Sequence, residues 1–424
     1  MIRGITAVAV SATLLTACAT TPGGPTSTAP KSGYVLYARN AQLGNAPIDV
    51  IDAATGRVER SLPVGTPSTD WSRLYAAKHD NGRTSLQAID VHTAQVASQI
   101  SFNGWFDLPM ADPSGLTGGL SPNGKWLALQ SSGHTSETSF MLVSTGFDQH
   151  PRQLTIRGDF DFDAISNDGQ RLYLIESLAK SQPGHYRVRR YDVALGALDP
   201  HVIVDKREIA SASMTGTRIS GVFAPDGGWQ YSLYINEKTG PFIHALNLDQ
   251  TFAWCIDLPS GGTRDEQMMW SLAIEKDGRA LFAVNPTLGK VARVDITSEG
   301  PSNEVSSTRS FNPARLTSRN PGFFTDAYAK GIQIGSAALT KNERTLIANG
   351  DGGSVAIDVP HLTLDRPLLS DPGIESVVMS DDGTVLFASS WNGPALLEVD
   401  PASGVKRDVL HTDTAWVLFR AASR

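Results

Sequence analysis

Several things are scarce or missing in this chain of 424 residues, and each absence closes a route. It has two cysteines, too few for a disulfide framework, and no cysteine pair or haem-attachment motif that would support a redox role. No apolar run approaches the roughly 20 residues a membrane-spanning helix needs. No basic run occurs either, and 36 basic against 43 acidic residues give a net charge of −7. That balance argues against nucleic acid as a partner and against electrostatic adhesion to anionic lipid. There is no Gly-x-Ser-x-Gly elbow, no His-Glu-x-x-His and no phosphate-cradling glycine loop. The nine histidines, at 79, 92, 134, 150, 185, 201, 244, 361 and 411, are scattered. None is paired at the spacing of a local copper or zinc motif. The hydrophobic share of 41% is nonetheless ample for a large core.

What is present begins at the amino terminus. Arg3 precedes an apolar run from Ile5 to Leu15, and Leu15-Thr16-Ala17-Cys18 follows. The pattern resembles a bacterial lipoprotein signal peptide. It implies that residues 1–17 are removed and that Cys18 is lipidated on sulfur. One acyl chain would hold a membrane only marginally, whereas the several chains such a cysteine carries give a stable anchor. Residues 18–33 hold the lipidated cysteine and no large apolar side chain. They cannot offset the entropy of ordering, and read as a flexible spacer. The expected location is the cell envelope, on the outer face of the membrane, with lipid contacted through Cys18. Cys255 is then left without a disulfide partner. Its apolar, alternating neighbours make it a buried core thiol, because the sequence shows no base that would activate it.

From residue 34 onward the chain repeats. One unit is a tight turn followed by an apolar strand, as in Ser121-Pro-Asn-Gly, Ser166-Asn-Asp-Gly, Ala224-Pro-Asp-Gly, Glu275-Lys-Asp-Gly and Ser380-Asp-Asp-Gly. Asn-Gly and Asp-Gly supply the positive φ angles that tight hairpins require. Thr340-Lys-Asn-Glu and Ser68-Thr-Asp-Trp are worn copies, and Tyr34-Val-Leu-Tyr begins an eighth without its turn. A second unit follows each strand, alternating apolar residues that end in a polar residue at a turn. Ile48-Asp-Val-Ile-Asp, Arg187-Val-Arg-Arg-Tyr-Asp and Leu396-Leu-Glu-Val-Asp are examples. These are strands with one packed face.

Hairpins at this interval, with no amphipathic helix between them, indicate an all-β fold, a β-propeller occupying 34–424 as one domain. The Asp-Gly hairpin and the Ile-Asp-x-x-Thr-Gly turn resemble the YVTN-type and WD-repeat-like propellers of bacterial extracytoplasmic proteins. The Gly-His and Trp-Asp pairs of true WD repeats are absent. Eight units can be counted, which favours eight blades, with seven as the alternative. The second unit has scarcely room for an inner strand. Ala415-Trp-Val-Leu-Phe-Arg-Ala is a spare strand able to complete the first blade beside Tyr34 and close the ring.

In a propeller, the strand before each Asp-Gly turn is innermost. Four residues before the turn serine stand Thr117, Phe162, Ser220, Ser271, Ser336 and Ser376, small hydroxyls in all but one case. Bonding to neighbouring backbone explains them better than a ligand ring. Asp159-Phe-Asp-Phe-Asp163 stands out, since strict alternation would put Asp159, Asp161 and Asp163 on one face about 6.6 to 7 Å apart. Such carboxylates repel unless solvated or bridged by a cation, and Ca²⁺ takes oxygen ligands of this kind. Ca²⁺ is the one cofactor left open. Trp270 and Glu375 share the register of Asp161 in their own units and are expected to face the same space. His244, in an alternating apolar strand, reads as packed and hydrogen-bonded.

The least repetitive stretch, 297–330, carries Arg309, Arg315, Arg319, Phe323, Phe324 and Tyr328. Arginine with aromatics is the composition of interface hot spots, and Arg315, Arg319, Phe323 and Phe324 are candidate partner contacts. The favoured function is a tethered module that binds or scaffolds a protein or ligand, its partner an envelope protein or cell-wall component. The alternative is a lactonase-like or quinoprotein-like hydrolase or oxidoreductase with Ca²⁺ at the aspartate strand.

Overall fold

The repeated hairpins pair into eight antiparallel sheets, seen in a computed structural model of the chain. The structure describes residues 33–41, 46–110, 117–131, 136–178, 184–205, 213–313, 335–370, 373–390, 396–411 and 416–424. Blades I to VIII occupy 34–62, 66–103, 106–157, 160–203, 217–257, 271–310, 337–369 and 374–410, and the carboxy-terminal strand belongs to blade I. The fold is therefore an eight-bladed β-propeller. The seven-blade alternative is excluded.

Closure uses both ends of the domain. Trp416–Ser423 is the inner strand of blade I, with Tyr34 opposite Ser423 and Asn40 opposite Trp416. Blade II has the reduced inner strand expected of it, two residues at Thr66–Pro67. Charged contacts reinforce the join: Arg424 Nη2 meets Asp52 Oδ2 at 2.7 Å, and Arg420 Nε meets Asp381 Oδ2 at 2.9 Å.

Where a turn starts with serine or threonine it folds the same way, because one hydroxyl and one carboxylate or amide satisfy the turn's amides; the turns that start at Ala224 and Glu275 rely on Asp226 and Asp277 alone. Ser166 Oγ donates to Asp168 Oδ1 at 2.5 Å and accepts from Arg171 N at 3.0 Å. Ser121 with Asn123, Thr340 with Asn342, and Ser380 with Asp382 repeat the pattern. Several turns are also tied to the neighbouring blade. Asn123 N donates to Asn167 Oδ1, Lys341 N to Gly383 O, and Asp381 N to Ala421 O. Gly383, with φ +68°, could not be replaced without conflict, since a Cβ there would lie 2.7 Å from Lys341 Cα. All these turns lie on one face of the ring, the turn face. The hairpins joining second and third strands lie on the opposite, hairpin face.

Three of the small hydroxyls of the inner strands, Thr117, Ser336 and Ser376, bond between blades, whereas Ser271 Oγ donates to Val284 O within its own blade and Ser220 Oγ is buried without a partner. Thr66 Oγ1 bonds Thr117 Oγ1 at 2.8 Å, Ser336 Oγ accepts from Val377 N at 2.7 Å, and Ser376 Oγ accepts from Leu418 N at 3.3 Å. They stitch one inner strand to the next.

Behind them, alternation sends apolar side chains into the seams between blades. Seven of the eight seams each hold one apolar cluster among the described residues. Burial of this kind is the main stabilising term.

Candidate functional site

The seam between blades IV and V is built differently. Its apolar side chains form two groups: Ala164, Tyr173, Val188, Ile203, Leu246, Leu248 and Ala253 in one, Tyr186, Tyr234 and Phe242 in the other. The strand Gly240–Asn247 shows how they are divided. Phe242 belongs to one group and Leu246 to the other, and alternation puts His244, 1% exposed, between them on the same side.

Asp163 enters this polar break from a β-bulge. On Phe160–Ile165, Phe162 faces Leu174 and Ala164 faces Tyr173, so Asp163 is the extra residue. The bulge breaks strict alternation. The expectation that Asp159, Asp161 and Asp163 line one face is therefore corrected: Asp161 is exposed, whereas the Asp163 side chain is 1% exposed and turned inward. Arg218 Nη1 reaches Asp163 Oδ1 at 3.3 Å, and Gln230 Nε2 donates to the Asp163 carbonyl at 3.2 Å. Among the described residues, no group of three His, Cys, Asp or Glu side chains is arranged to hold a metal ion.

Above this seam, on the hairpin face, a cleft of about 590 Å³ opens, within the roughly 300–1,000 Å³ range of ligand sites. Asp161, Phe162, Tyr186, Arg218, Tyr234 and Met110 are among its walls. Tyr186 and Tyr234 stack at 5.9 Å, and Tyr234 stacks on Phe242 at 5.2 Å, which fixes the aromatic floor. Several buried polar atoms here have no hydrogen-bond partner, among them Asp163 Oδ2, Tyr186 OH, Arg218 Nε, Gln230 Oε1 and His244 Nε2.

Burial controls the protonation of this cluster. It raises the Asp163 carboxyl above its ordinary value, an effect partly offset by Arg218. It raises the hydroxyls of Tyr186 and Tyr234, which remain protonated. It lowers His244 to about 4, with the Arg218 charge acting in the same direction, so that imidazole is neutral at pH 7.

The remaining sequence candidates fall elsewhere. Trp270 does not face open space with Asp161. It is fully buried in the seam of blades V and VI, because the chain before Ser271–Ile274 is a short capped helix that folds it inward. Glu375 is half-buried at the start of the blade VIII inner strand, its Oε2 is unpartnered, and burial raises its carboxyl to about 7. Cys18, Arg315, Arg319, Phe323 and Phe324 lie outside the described residues.

Sequence reasoning missed Arg218, Tyr186 and Tyr234. The available signal was an arginine in the inner strand Thr217-Arg-Ile-Ser, where other units carry small or apolar residues. It also missed a base beside Cys255: that thiol is half-buried, and register places His244 opposite it, with Sγ 3.7 Å from Nδ1.

No family model and no curated protein sequence matches the chain. Solved structures do. The dihydro-heme d1 dehydrogenase NirN, solved in complex with DHE, has a TM-score of 0.52 at 13% identity, covering 96% of this chain and 78% of that one. AztD from Citrobacter koseri has a TM-score of 0.50 at 12% identity, covering 91% and 98%. A putative 6-phosphogluconolactonase from Bacteroides uniformis reaches 0.39 at 14% identity, covering 82% and 100%. At these identities the first two likenesses concern the fold alone.

Proposed function

We propose that this chain is an extracytoplasmic binding propeller, tethered to the outer face of the membrane through Cys18, whose ligand occupies the hairpin-face cleft between blades IV and V. The observation that carries the reading is the set of unpaired buried polar atoms beneath an open cleft. Buried polar groups are nearly always paired, and leaving one unsatisfied costs about 1–3 kcal/mol. Asp163 Oδ2 and Arg218 Nε lie in that condition beneath the cleft, and Arg218, whose side chain is about a quarter exposed, also lines it, so a bound molecule can engage this polar cluster through the arginine. Asp161, Phe162, Ile175, Tyr186, Arg218 and Tyr234 reach the cleft from strands, and parts held by strands cost less to order on binding.

An envelope protein or cell-wall component remains the class of partner. The enzymatic alternative rested on three aspartates sharing one face, and the bulge at Asp163 removes that support.

Two experiments test the proposal. Cys18→Ala should move the chain from the membrane fraction to the soluble fraction of the envelope, and continued membrane association would contradict the tether. Native mass spectrometry of the full chain isolated from envelopes should show a bound mass that Arg218→Gln lacks. Identical spectra for the two proteins would contradict the cleft as the site.

A further inference from the structure

The walls of the cleft restrict what it can hold. Asp161 is exposed on one wall, and its carboxylate is a pure acceptor. Arg218, on the neighbouring blade, carries five donors in a planar fork. One of those donors points back at the buried Asp163, which fixes the guanidinium, and the side chain, about a quarter exposed, lines the cleft. The Tyr186 ring lines the cleft as well, with its hydroxyl buried beside that of Tyr234. Between these polar groups lie the apolar surfaces of Phe162, Ile175 and Met110, the last 63% exposed.

This arrangement is unfavourable for most simple ligand classes. An anion attracted to Arg218 would meet Asp161 at the surface and Asp163 beneath. A cation attracted to Asp161 would meet Arg218. A wholly apolar molecule would cover Arg218 without satisfying it, at its desolvation cost. A neutral ring bearing several hydroxyls fits each wall. Its hydroxyls donate to the Asp161 carboxylate and accept from Arg218, and its C–H face rests on Phe162 and Met110.

We propose that the cleft between blades IV and V binds a neutral saccharide, with Asp161 and Arg218 as the paired polar contacts and Phe162 as the platform. The inference rests on the reading of the cleft as a ligand site and adds the class of ligand.

Calorimetric titration of the full chain with chitotriose, maltotriose and cellotriose tests it, with a mixture of glycyl dipeptides as a zwitterionic control. At least one trisaccharide should bind saturably. Loss of a hydrogen bond to a charged group should weaken that binding about tenfold or more in Asp161→Asn and in Arg218→Gln. Arg309→Ala, on the far outer strand of blade VI, should leave it unchanged. Because Arg218→Gln strips a partner from a buried carboxylate and can unfold the seam, the exposed Asp161→Asn variant decides if the two disagree. Dipeptide binding that is lost in Asp161→Asn, with no trisaccharide bound, would overturn the saccharide assignment and leave the cleft a ligand site. Trisaccharide binding indifferent to Asp161→Asn would overturn the assignment of these residues. No heat from any probe in the wild-type chain would overturn the saccharide class, and an unchanged native mass spectrum in Arg218→Gln would take the cleft with it.

Discussion

The two faces of the ring are made from the ends of the same strands and are chemically opposite. On the turn face most blades repeat one solution, a hydroxyl and a carboxylate or amide closing a tight turn, and several turns are tied to their neighbours. On the hairpin face the blades diverge, and Asp161, Tyr186, Arg218 and Tyr234 line a cleft there. Repetition marks what the ring needs to close, and departure from it marks where side chains are free to serve something else. The same contrast separates the seam of blades IV and V, broken by polar groups, from the seven apolar seams.

The largest effect should come from opening the ring. A chain ending at His411 loses Trp416–Ser423, the inner strand of blade I, together with Trp416, Leu418 and Ala421 from the seam with blade VIII. Circular dichroism should then show no cooperative thermal transition. A sharp transition in the truncated chain would mean that closure is not what holds the ring.

Next in size is a core deletion. Trp270→Ala removes a fully buried side chain from the seam of blades V and VI and should cost about 3–5 kcal/mol in denaturant unfolding. Trp105→Ala, at 56% exposure on the hairpin face, should stay within about 0.5 kcal/mol. Equal losses would erase the distinction between seam and face.

On the turn face, Ser380→Ala removes the acceptor for Thr384 N and Val385 N and the donor to Asp382. About 1 kcal/mol is expected for such a loss, measured by urea unfolding. A negligible change would show that the turns are held by backbone alone.

The smallest effects should differ in sign with pH. The Ser68 hydroxyl lowers Asp70 to about 2, and the Ser380 hydroxyl likewise depresses Asp382. Depressed carboxyls contribute stability above their unfolded value near 4, lost as pH falls through the folded value. Burial raises Glu375 to about 7, so its ionisation opposes folding, and stability falls as pH rises from about 4.5 to 7. Asp382→Asn should flatten the acid limb of a stability–pH curve and Glu375→Gln the neutral one. Flattening of the same limb by both would contradict the contrast between faces.

These features were unequally legible in the sequence. The Asp-Gly turns and alternating strands revealed the blades, their number and the carboxy-terminal closure, because each follows from local turn chemistry and a period of two. The bulge at Asp163 was invisible, since Asp-Phe-Asp-Phe-Asp reads as perfect alternation and the extra residue is set by pairing with Leu172 to Glu176. Trp270 was misplaced for a similar reason: equal distance from a turn does not imply equal direction once a helix turn precedes the strand. The cleft joins Tyr186, Arg218 and Tyr234 from separate hairpins, and only the packing of two neighbouring blades brings them together.

The central claim is that ligand is met on the hairpin face and not on the turn face. A photo-crosslinking side chain placed at position 110, beside the cleft, or at position 195, which is 79% exposed on the turn face, tests it directly in intact cells. An adduct at position 110, abolished by Asp161→Asn, with none at position 195, is the predicted result. An adduct at position 195 with none at position 110 would contradict the account.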